Sequence, residues 1–320
     1  MNEVPMVLDA DAQKVLDAAK LTGAPPIETL SPEEARLAMK ARREALKQVT
    51  PGMAEVRDLA AQGPHGPIPL RLYRAAAAAA VSPQPCLVFF HGGGWVFGDL
   101  DTHDNLCRLL SHAIGGTVIA VDYRLAPEHK FPAAYDDSLA ATTWVAEYAD
   151  ALGIDRHRIA VCGDSAGGNL ATTVALTAAE QGYPELIAQV LIYPTVDLGF
   201  AQESYRRVGE GYFLTTTGME WFRGHYLRGD EDVADWRASP LRAGDLSKLP
   251  PAYVVTAGCD PLCDEGEEYA GAMKRAGVPV MFRHLPGQMH GFIGMSGYIA
   301  AADVTIAEIG RFLREVWAAT

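Results

Sequence analysis

The sequence has little positive charge. Its 320 residues contain 27 lysines and arginines against 40 aspartates and glutamates, so the formal net charge is −13 at pH 7. The basic residues are scattered along the chain and form no basic stripe. Nucleic acid is therefore excluded as an expected partner, and anionic substrates or membrane surfaces are disfavoured, whereas a neutral small molecule suits this charge.

Long apolar runs are missing as well. No uninterrupted stretch is long enough to span a bilayer, and the opening MNEVPMVLDADAQ has neither the basic nor the apolar part of a secretory signal peptide. We therefore expect a cytoplasmic protein with no stable membrane association. Hydrophobic residues make up 49% of the chain and charged residues 21%, which is typical of one large globular domain with or without a small accessory part.

Cysteines are few and odd in number, and their spacing follows neither a disulfide framework nor a paired CxxC zinc pattern. The five are Cys86, Cys107, Cys162, Cys259 and Cys263. No two histidines stand at metal-ligand spacing on one helix face either. We expect reduced thiols and no bound metal.

Segments of strand and helix character alternate through most of the chain. Apolar runs typical of strands lie at Ile68–Tyr73, Cys86–His91, Thr117–Tyr123, Arg158–Cys162, Ala188–Tyr193, Ala252–Ala257 and Val278–Leu285. Helical patterns occupy Ala133–Asp150, Gly167–Gln181, Asp264–Ala276 and about Asp303–Trp317. This alternation predicts an α/β fold with a mostly parallel central sheet and helices on both faces.

Two helices are predicted before this region. Apolar residues recur at helical spacing between Ala12 and Ala19. The second helix begins at Ser31–Glu34, which combines an N-cap, a first-turn proline and a capping-box glutamate, and we expect it to reach about Val49. Thr50–Gly52 should end it, so a boundary is predicted near residue 52.

A second interval, from Thr195 to about Leu246, breaks the alternation. It is irregular and rich in aromatic residues, namely Tyr205, Tyr212, Phe213, Trp221, Phe222, Tyr226 and Trp236. We interpret this interval as an inserted lid or cap within a main domain of residues 53–320. The alanine- and proline-rich stretch Ala75–Pro85 is predicted to be a surface connection.

The first motif with chemical content is Gly163-Asp164-Ser165-Ala166-Gly167, which follows an apolar strand and opens an apolar helix. A GxSxG match is weak evidence by itself, but this strand–turn–helix setting is the one that a nucleophilic serine requires. The sharp turn that projects the hydroxyl leaves no room for side chains two residues on either side, so glycines are needed there. Ser165 is therefore the predicted nucleophile.

A glycine-rich loop, His91-Gly92-Gly93-Gly94-Trp95, follows the strand Cys86–Phe90 directly. Acyl transfer builds negative charge on a carbonyl oxygen, and backbone N–H groups without side-chain bulk can approach that oxygen closely. We assign the N–H groups of Gly93, Gly94 and Ala166 to an oxyanion hole. The alternative is a glycine turn without a ligand; a phosphate loop is disfavoured because no GxxxxGKS or GxxxxGKT pattern is present.

Five motifs resemble the hormone-sensitive-lipase-like esterases, also called bacterial family IV. They are HGGGW, DYRLAPEHKFPAA (Asp122–Ala134), GDSAGG, DPLCDEG (Asp260–Gly266) and HGF (His290–Phe292). The N-terminal helices and EGYFLT (Glu210–Thr215) are similar to the cap of that family, so residues 1–52 and about 195–246 are expected to form its two parts. The resemblance implies an α/β-hydrolase fold, a Ser–Asp–His triad, no metal or organic cofactor, and hydrolysis of short- to medium-chain acyl esters.

The carboxylate of the triad can also be chosen from chain order, because in α/β-hydrolases the acid and the histidine follow the serine on loops after later strands. Asp260 comes directly after the strand Ala252–Ala257. Asp264 and Glu265 are competitors, but they lie in the next helix, where an N-terminal cap is the simpler explanation. Asp260 is therefore the predicted acid.

Three histidines follow the serine. His225 lies in the inserted interval and His284 within a strand pattern, so we interpret both as packing or surface residues. His290 follows the expected loop Pro286–Met289 after the last strand, where an imidazole can meet both the nucleophile and the acid. His290 is the predicted general base, and Asp260 is the group that orients it.

Residues beside these motifs receive supporting roles. His91 is interpreted as a hydrogen-bond partner that shapes the glycine loop, and Asp122, Arg124 and Glu128 as charges that brace this loop. Asp164 is expected to act similarly beside the serine. The candidate pocket walls are Trp95, Phe97, Tyr193, Phe213 and Leu214.

Together these residues predict a carboxylesterase that acts on a small-molecule ester through an acyl-enzyme on Ser165. An amidase or deacetylase with the same triad is the first alternative. A non-catalytic small-molecule receptor on this fold is the second, and His290 in its HGF context argues against it. The sequence leaves the physiological substrate and the oligomeric state open, a homodimer included.

Overall fold

An eight-stranded sheet runs through the structure, a computed structural model that describes residues 7–46, 48–76 and 82–320. The strands are β1 (Glu55–Gly63), β2 (Gly66–Arg74), β3 (Gln84–Phe90), β4 (Thr117–Val121), β5 (Ile154–Asp164), β6 (Ala188–Ile192), β7 (Ala252–Cys259) and β8 (Val280–Met289). Their order is β1-β2-β4-β3-β5-β6-β7-β8. The pairs β1–β2 and β2–β4 are antiparallel and all others are parallel, so the predicted mostly parallel sheet is confirmed.

The central strands are short apolar runs because helices cover both faces of the sheet. Every residue of β4, β6 and β7 is buried. The edge strand β1, with the sequence EVRDLAAQG, is mostly exposed and has no apolar run. For that reason the sequence pattern does not predict this strand.

The last strand is longer than the sequence suggested. β8 continues through Pro286 to Met289, although these residues were expected to form a loop. The register shifts between Ala257 and Cys259, and Met289 then pairs with Cys259. Because of this continuation, His290 leaves directly from the end of a strand.

The helices lie on both faces of the sheet. They are α1 (Ala10–Leu21), α2 (Pro32–Ala45), α3 (Asp104–Ile114), α4 (Ala133–Glu147), α5 (Ala149–Leu152), α6 (Ala166–Gln181), α7 (Ser204–Arg207), α8 (Thr216–Tyr226), α9 (Cys263–Arg275) and α10 (Ala300–Ala319). Apolar residues of α4, α6 and α9 form one core cluster, and those of α1, α3 and α10 form the other. No helix in the described ranges is both long and apolar enough to cross a bilayer.

The second helix begins as the sequence predicts and ends earlier. The Ser31 hydroxyl accepts a hydrogen bond from the Glu34 N–H, and the Glu34 carboxylate accepts one from the Ser31 N–H, which together form the capping box. α2 ends at Ala45 rather than near Val49. The predicted surface connection Ala75–Pro85 lies partly at residues 77–81, which are outside the described residues.

The N-terminal segment contacts three parts of the molecule. Residues of α1 join a core cluster that contains Met289 at the end of β8. The short turn Ile27–Thr29 lies against α8 of the inserted interval. Arg36 of α2 donates a hydrogen bond to the carbonyl of Val96, just after the glycine loop. The segment therefore reaches the ends of β3 and β8 as well as the inserted interval.

Candidate active site

The candidate nucleophile Ser165 lies at the turn between β5 and α6. Its backbone has φ +57° and ψ −119°, a conformation that is strained for a residue with a β-carbon. A β-carbon at Gly163 would collide with the backbone of Gly167, and one at Gly167 would collide with the carbonyl of Phe90. Close backbone packing therefore requires both glycines of the GxSxG motif.

His290 and Asp260 lie beside this serine, each at the end of a parallel strand. The Nε2 atom of His290 is 2.9 Å from the Ser165 Oγ, and its Nδ1 atom is 2.7 Å from the Asp260 Oδ2. Asp260 is fully buried, and its Oδ1 accepts a hydrogen bond of 2.9 Å from the Leu262 N–H. One imidazole thus joins a hydroxyl to a buried carboxylate, an arrangement suited to removing the hydroxyl proton.

The two competing carboxylates have other partners. Asp264 accepts a hydrogen bond of 2.9 Å from the Ser204 N–H. Glu265 is buried and accepts hydrogen bonds of 2.7 Å from both the Val196 N–H and the Tyr205 hydroxyl. Burial raises the pKa of Glu265 to about 8. Both carboxyl groups therefore fasten the inserted interval to α9 and do not contact the candidate histidine.

The other two histidines that follow the serine pack elsewhere. The ring of His225 lies 4.4 Å from the ring of Trp221 within α8. His284 is exposed on β8, with its Nδ1 atom 3.1 Å from the Thr256 Oγ1. Among the described residues, no group of three or more histidine, cysteine, aspartate or glutamate side chains could hold a metal ion.

The glycine loop that follows β3 needs glycine for two physical reasons. Gly93 and Gly94 have φ values of +120° and +58°, in the region that favours glycine. A β-carbon at Gly93 would collide with Phe97, and one at Gly94 would collide with the ring of Phe222 from α8. The backbone of this loop therefore presents its N–H groups without side-chain bulk.

Buried polar groups fasten this loop to the serine turn. The Gly92 N–H donates a hydrogen bond of 2.9 Å to the Asp164 carboxylate, and the Tyr123 hydroxyl donates one of 2.6 Å to the His91 carbonyl. Burial lowers the pKa of His91 to about 4, so its ring is neutral at neutral pH and contacts the Gly92 carbonyl at 2.9 Å. His103, which received no role from the sequence, lies 3.5 Å from the Asp164 carboxylate.

Two of the charges expected to brace the glycine loop have other charged neighbours. Arg124 forms a two-pronged ion pair with Asp137 of α4, with both distances 2.8 Å. Burial and the neighbouring Asp99 raise the pKa of Asp122 to about 6. A position next to a buried strand indicated that these charges would be paired, but it did not identify their neighbours.

The brace is instead Arg36, a residue that sequence analysis did not identify. Its Nε donates to the Val96 carbonyl and one terminal nitrogen to the Ala126 carbonyl, both at 2.9 Å. Glu128 accepts hydrogen bonds of 2.6 and 2.8 Å from the same guanidinium and so acts on the loop through Arg36. No local pattern marks Arg36, because an arginine on an amphipathic helix is usually a solvated side chain.

Two of the five predicted pocket walls are more deeply buried than Ser165. Trp95 is fully buried and stacks on Tyr226, with ring centroids 4.0 Å apart. Tyr193 is 1% exposed, and its ring lies 4.6 Å from the ring of His290. Trp95 therefore packs against α8, and Tyr193 packs against the candidate base; their role as pocket walls stays a prediction.

The other three predicted wall residues lie nearer to the surface of the site. Phe97 and Leu214 are 8% and 7% exposed, which is comparable with the 7% exposure of Ser165 itself. Phe213 is partly buried, and the guanidinium of Arg42 stacks on its ring at 3.9 Å. Phe222, whose ring lies 5.4 Å from that of Phe97, belongs to the same surface and was not singled out from the sequence.

Comparison with known proteins gives the family of this chain. A family model described as alpha/beta hydrolase fold matches residues 87–294, which run from β3 to just beyond His290. The carboxylic ester hydrolase LipN of Mycobacterium tuberculosis is 43% identical to this chain, and the alignment covers 97% of this chain and 84% of that protein. The ethyl acetate hydrolase of Pseudomonas putida is also 43% identical, over 78% of each chain.

A solved structure extends the similarity to nearly every residue. An ester hydrolase from the metagenome of Lake Arreo, solved in complex with a derivative of bipyridine phosphonate, superposes with a TM-score of 0.93 at 37% identity. The alignment covers 98% of this chain and 100% of that one. The chain therefore belongs to the alpha/beta-hydrolase family and is a carboxylesterase of the hormone-sensitive-lipase-like type.

Proposed function

We propose that this carboxylesterase hydrolyses short- to medium-chain acyl esters through an acyl-enzyme on Ser165. In this proposal His290 is the general base and Asp260 is the carboxylate that orients it. The observation that carries the proposal is the hydrogen-bonded chain from the Ser165 Oγ through His290 to the buried Asp260, with distances of 2.9 and 2.7 Å.

The first half of the reaction acylates the enzyme. His290 removes the proton from the Ser165 hydroxyl as the oxygen attacks the ester carbonyl, and the resulting imidazolium then protonates the departing alcohol. Asp260 accepts the Nδ1–H hydrogen bond, which fixes the tautomer and stabilises the imidazolium without itself taking the proton. In the second half, water attacks the acyl-enzyme by the same sequence of proton transfers and releases the acid.

The oxyanion that forms in both halves needs hydrogen-bond donors. We assign this role to the backbone N–H groups of Gly93, Gly94 and Ala166. Support comes from the link between the Gly92 N–H and the Asp164 carboxylate, which joins the glycine loop to the serine turn at 2.9 Å. Donors that are fixed before the reaction stabilise developing charge without further reorganisation.

The preference for small acyl groups rests on the shape of the site and on one relative. Phe97 and Leu214 are nearly buried, and residues 1–52 and about 195–246 are proposed to form the two parts of a cap above them. A relative named ethyl acetate hydrolase is 43% identical to this chain, which favours a short acyl group. The proposed partner is accordingly a neutral small-molecule ester.

Two other functions are compatible with the same arrangement of side chains and are weighed against ester hydrolysis. An amidase or deacetylase would use the same three side chains, because one oxyanion hole serves esters, activated amides and acetylated sugars alike. A non-catalytic receptor is disfavoured, since the imidazole of His290 lies within hydrogen-bonding distance of both partners.

The test is a panel of acyl esters with matched amides and acetylated sugars, assayed with Ser165→Ala as the blank. We expect hydrolysis of the short-chain esters at rates far above the blank, and slower hydrolysis of the amides. Faster cleavage of amides or acetylated sugars than of every ester would show that the enzyme is an amidase or deacetylase. Equal rates for the enzyme and the blank would show that Ser165 is not the nucleophile.

A further inference from the structure

The start of α1 lies directly on the strand that carries His290. The Asp9 N–H donates a hydrogen bond of 2.8 Å to the Gly287 carbonyl, and the Gln288 Nε2 donates one of 2.8 Å to the Asp9 Oδ2. Gly287 and Gln288 are the third and second residues before His290. The N-terminal segment is thus fixed to the end of β8 at the point where the candidate base leaves it.

The side chain of Gln288 depends on this contact. It is 1% exposed, and its Oε1 atom has no hydrogen-bond partner among the described residues. Loss of the Asp9 carboxylate would therefore remove the one hydrogen bond that the described residues give this amide. Asp9 itself is exposed, so water would reach the amide, and the end of β8 would lose the contact that holds it in place.

Shape complementarity adds to these hydrogen bonds. The Asp9 carboxylate occupies the space above Gly287 where a β-carbon would lie, so a side chain at residue 287 would collide with it. Leu8 and Met289 belong to the same apolar cluster on either side of the contact. Backbone, side chain and apolar packing together hold the residues that immediately precede His290.

We propose that Asp9 is a positioning residue for His290 and acts through Gln288 and Gly287. This inference rests on the proposed function, in which His290 is the general base for both acylation and deacylation. The base must remain at hydrogen-bonding distance from the Ser165 Oγ, and a displacement of about 1 Å at a reacting group can cost about 100-fold in rate. Asp9 limits such displacement from outside the pocket.

The chain offers a matched control on the same helix. Asp11 is in the first turn of α1 and accepts hydrogen bonds of 2.8 Å from the Ala300 N–H, at the start of α10, and from the Ala12 N–H. Asp11→Ala therefore removes one comparable tertiary hydrogen bond, one local hydrogen bond and one charge from α1, and neither lost bond involves β8. A general weakening of α1 would affect both variants equally.

The experiment compares Asp9→Ala, Asp9→Asn and Asp11→Ala in the full chain, with a butyrate p-nitrophenyl ester as substrate. We expect Asp9→Ala to lower kcat about 10-fold with KM unchanged within about two-fold, because the base is misplaced and the binding surface is not. Asp9→Asn keeps an acceptor for the Gln288 amide and should retain most of the activity. Asp11→Ala should match the wild type in kcat while its Tm falls as much as that of Asp9→Ala.

A second variant pair tests the contact with Gly287. Gly287→Ala alone should lower kcat, because the new β-carbon displaces the Asp9 carboxylate. In the Asp9→Ala background the carboxylate atoms nearest to the new β-carbon are gone, so the same substitution should cause little further loss and the two effects should not be additive. Additive losses would show that the two residues act independently.

Two results would overturn the proposal. One is a wild-type kcat for Asp9→Ala, and the other is an equal fall in kcat for Asp9→Ala and Asp11→Ala. Ser165→Ala in the same assay separates this inference from the proposed function. Full activity of Ser165→Ala would reject the mechanism itself, whereas an inactive Ser165→Ala beside a fully active Asp9→Ala would reject only the positioning role.

Discussion

The ring of Phe222 fills the space above Gly94 where a β-carbon would lie. Gly94 belongs to the proposed oxyanion loop and has φ +58°, while Phe222 belongs to α8 of the inserted interval. The same ring lies edge-on to Phe97, with centroids 5.4 Å apart. The inserted interval therefore packs directly against the loop that is proposed to bind the oxyanion.

This contact predicts the effect of a single methyl group. Gly94→Ala should lower kcat/KM about 100-fold, because the β-carbon must displace either Phe222 or the loop and a misplaced oxyanion donor costs about 100- to 1,000-fold. The φ value adds about 1–2 kcal/mol of backbone strain in an L-residue. The measurement is kcat/KM on a butyrate ester, with thermal unfolding as the check on the fold.

The double variant Gly94→Ala/Phe222→Ala identifies the cause. Removal of the ring gives the new methyl group room, so the double variant should be faster than the product of the two single effects predicts. Strict multiplication of the two losses would mean that backbone strain at residue 94, and not the contact with Phe222, lowers the activity.

The proposed triad predicts that loss of the nucleophile and loss of its base have nearly equal effects. Ser165→Ala and His290→Ala should each lower kcat by about 10⁶-fold, because the nucleophile and its base act as one unit. Asp260→Asn should cost about 10⁴-fold through the wrong tautomer of the imidazole. The Ser165→Ala/His290→Ala double variant should be no slower than either single variant. A further large loss in the double variant, in protein free of other esterases, would contradict the shared mechanism.

The serine turn could be predicted from sequence because its requirements are local. The GxSxG glycines, the strand before them and the helix after them lie within one continuous segment, and the backbone collisions at Gly163 and Gly167 explain that pattern. Asp260 and His290 followed from chain order and from strand ends. The structure brings His290 within hydrogen-bonding distance of both Asp260 and Ser165.

The supporting contacts could not be predicted in this way because they join distant residues. Asp9 and Gln288 are 279 positions apart, and Arg36 lies 60 positions from Val96. In the sequence, Asp9 and Arg36 look like the solvated charges of two amphipathic helices. The depth of burial of an aromatic next to a motif is not local either: tertiary packing leaves Trp95 and Tyr193 at most 1% exposed.

Acyl chain length should pass through a maximum. Each methylene that fits should raise kcat/KM about four-fold, which corresponds to about 0.8 kcal/mol, and the first that does not fit should reverse the trend. We expect butyrate to hexanoate esters to be cut best, without activation at an oil–water interface. The measurement is kcat/KM for acetyl through palmitoyl p-nitrophenyl esters. Leu214→Ala should move the maximum to a longer chain, and an uninterrupted rise to palmitate would contradict the proposed closed pocket.

The buried Glu265 predicts how stability depends on pH. Burial raises its pKa from the ordinary 4.5 to about 8, so between these values the folded protein keeps a proton that the unfolded chain has released. Unfolding then releases a proton, and the free energy of unfolding falls as pH rises. The stabilising contribution is complete below pH 4.5 and is lost by about pH 8. The expected slope is on the order of 1 kcal/mol per pH unit.

Glu265→Gln isolates this contribution. A glutamine oxygen can still accept the hydrogen bonds from Val196 and Asp197, which reach one oxygen of Glu265, and its amide can donate to the Tyr205 hydroxyl, which lies 2.7 Å from the other. The variant should therefore fold at pH 5 with stability close to that of the wild type and lose less stability up to pH 8.5. Urea unfolding at several pH values measures both curves. Parallel curves would mean that another group causes the pH dependence, and a variant that is much less stable at pH 5 would mean that the wild-type carboxyl is ionised there.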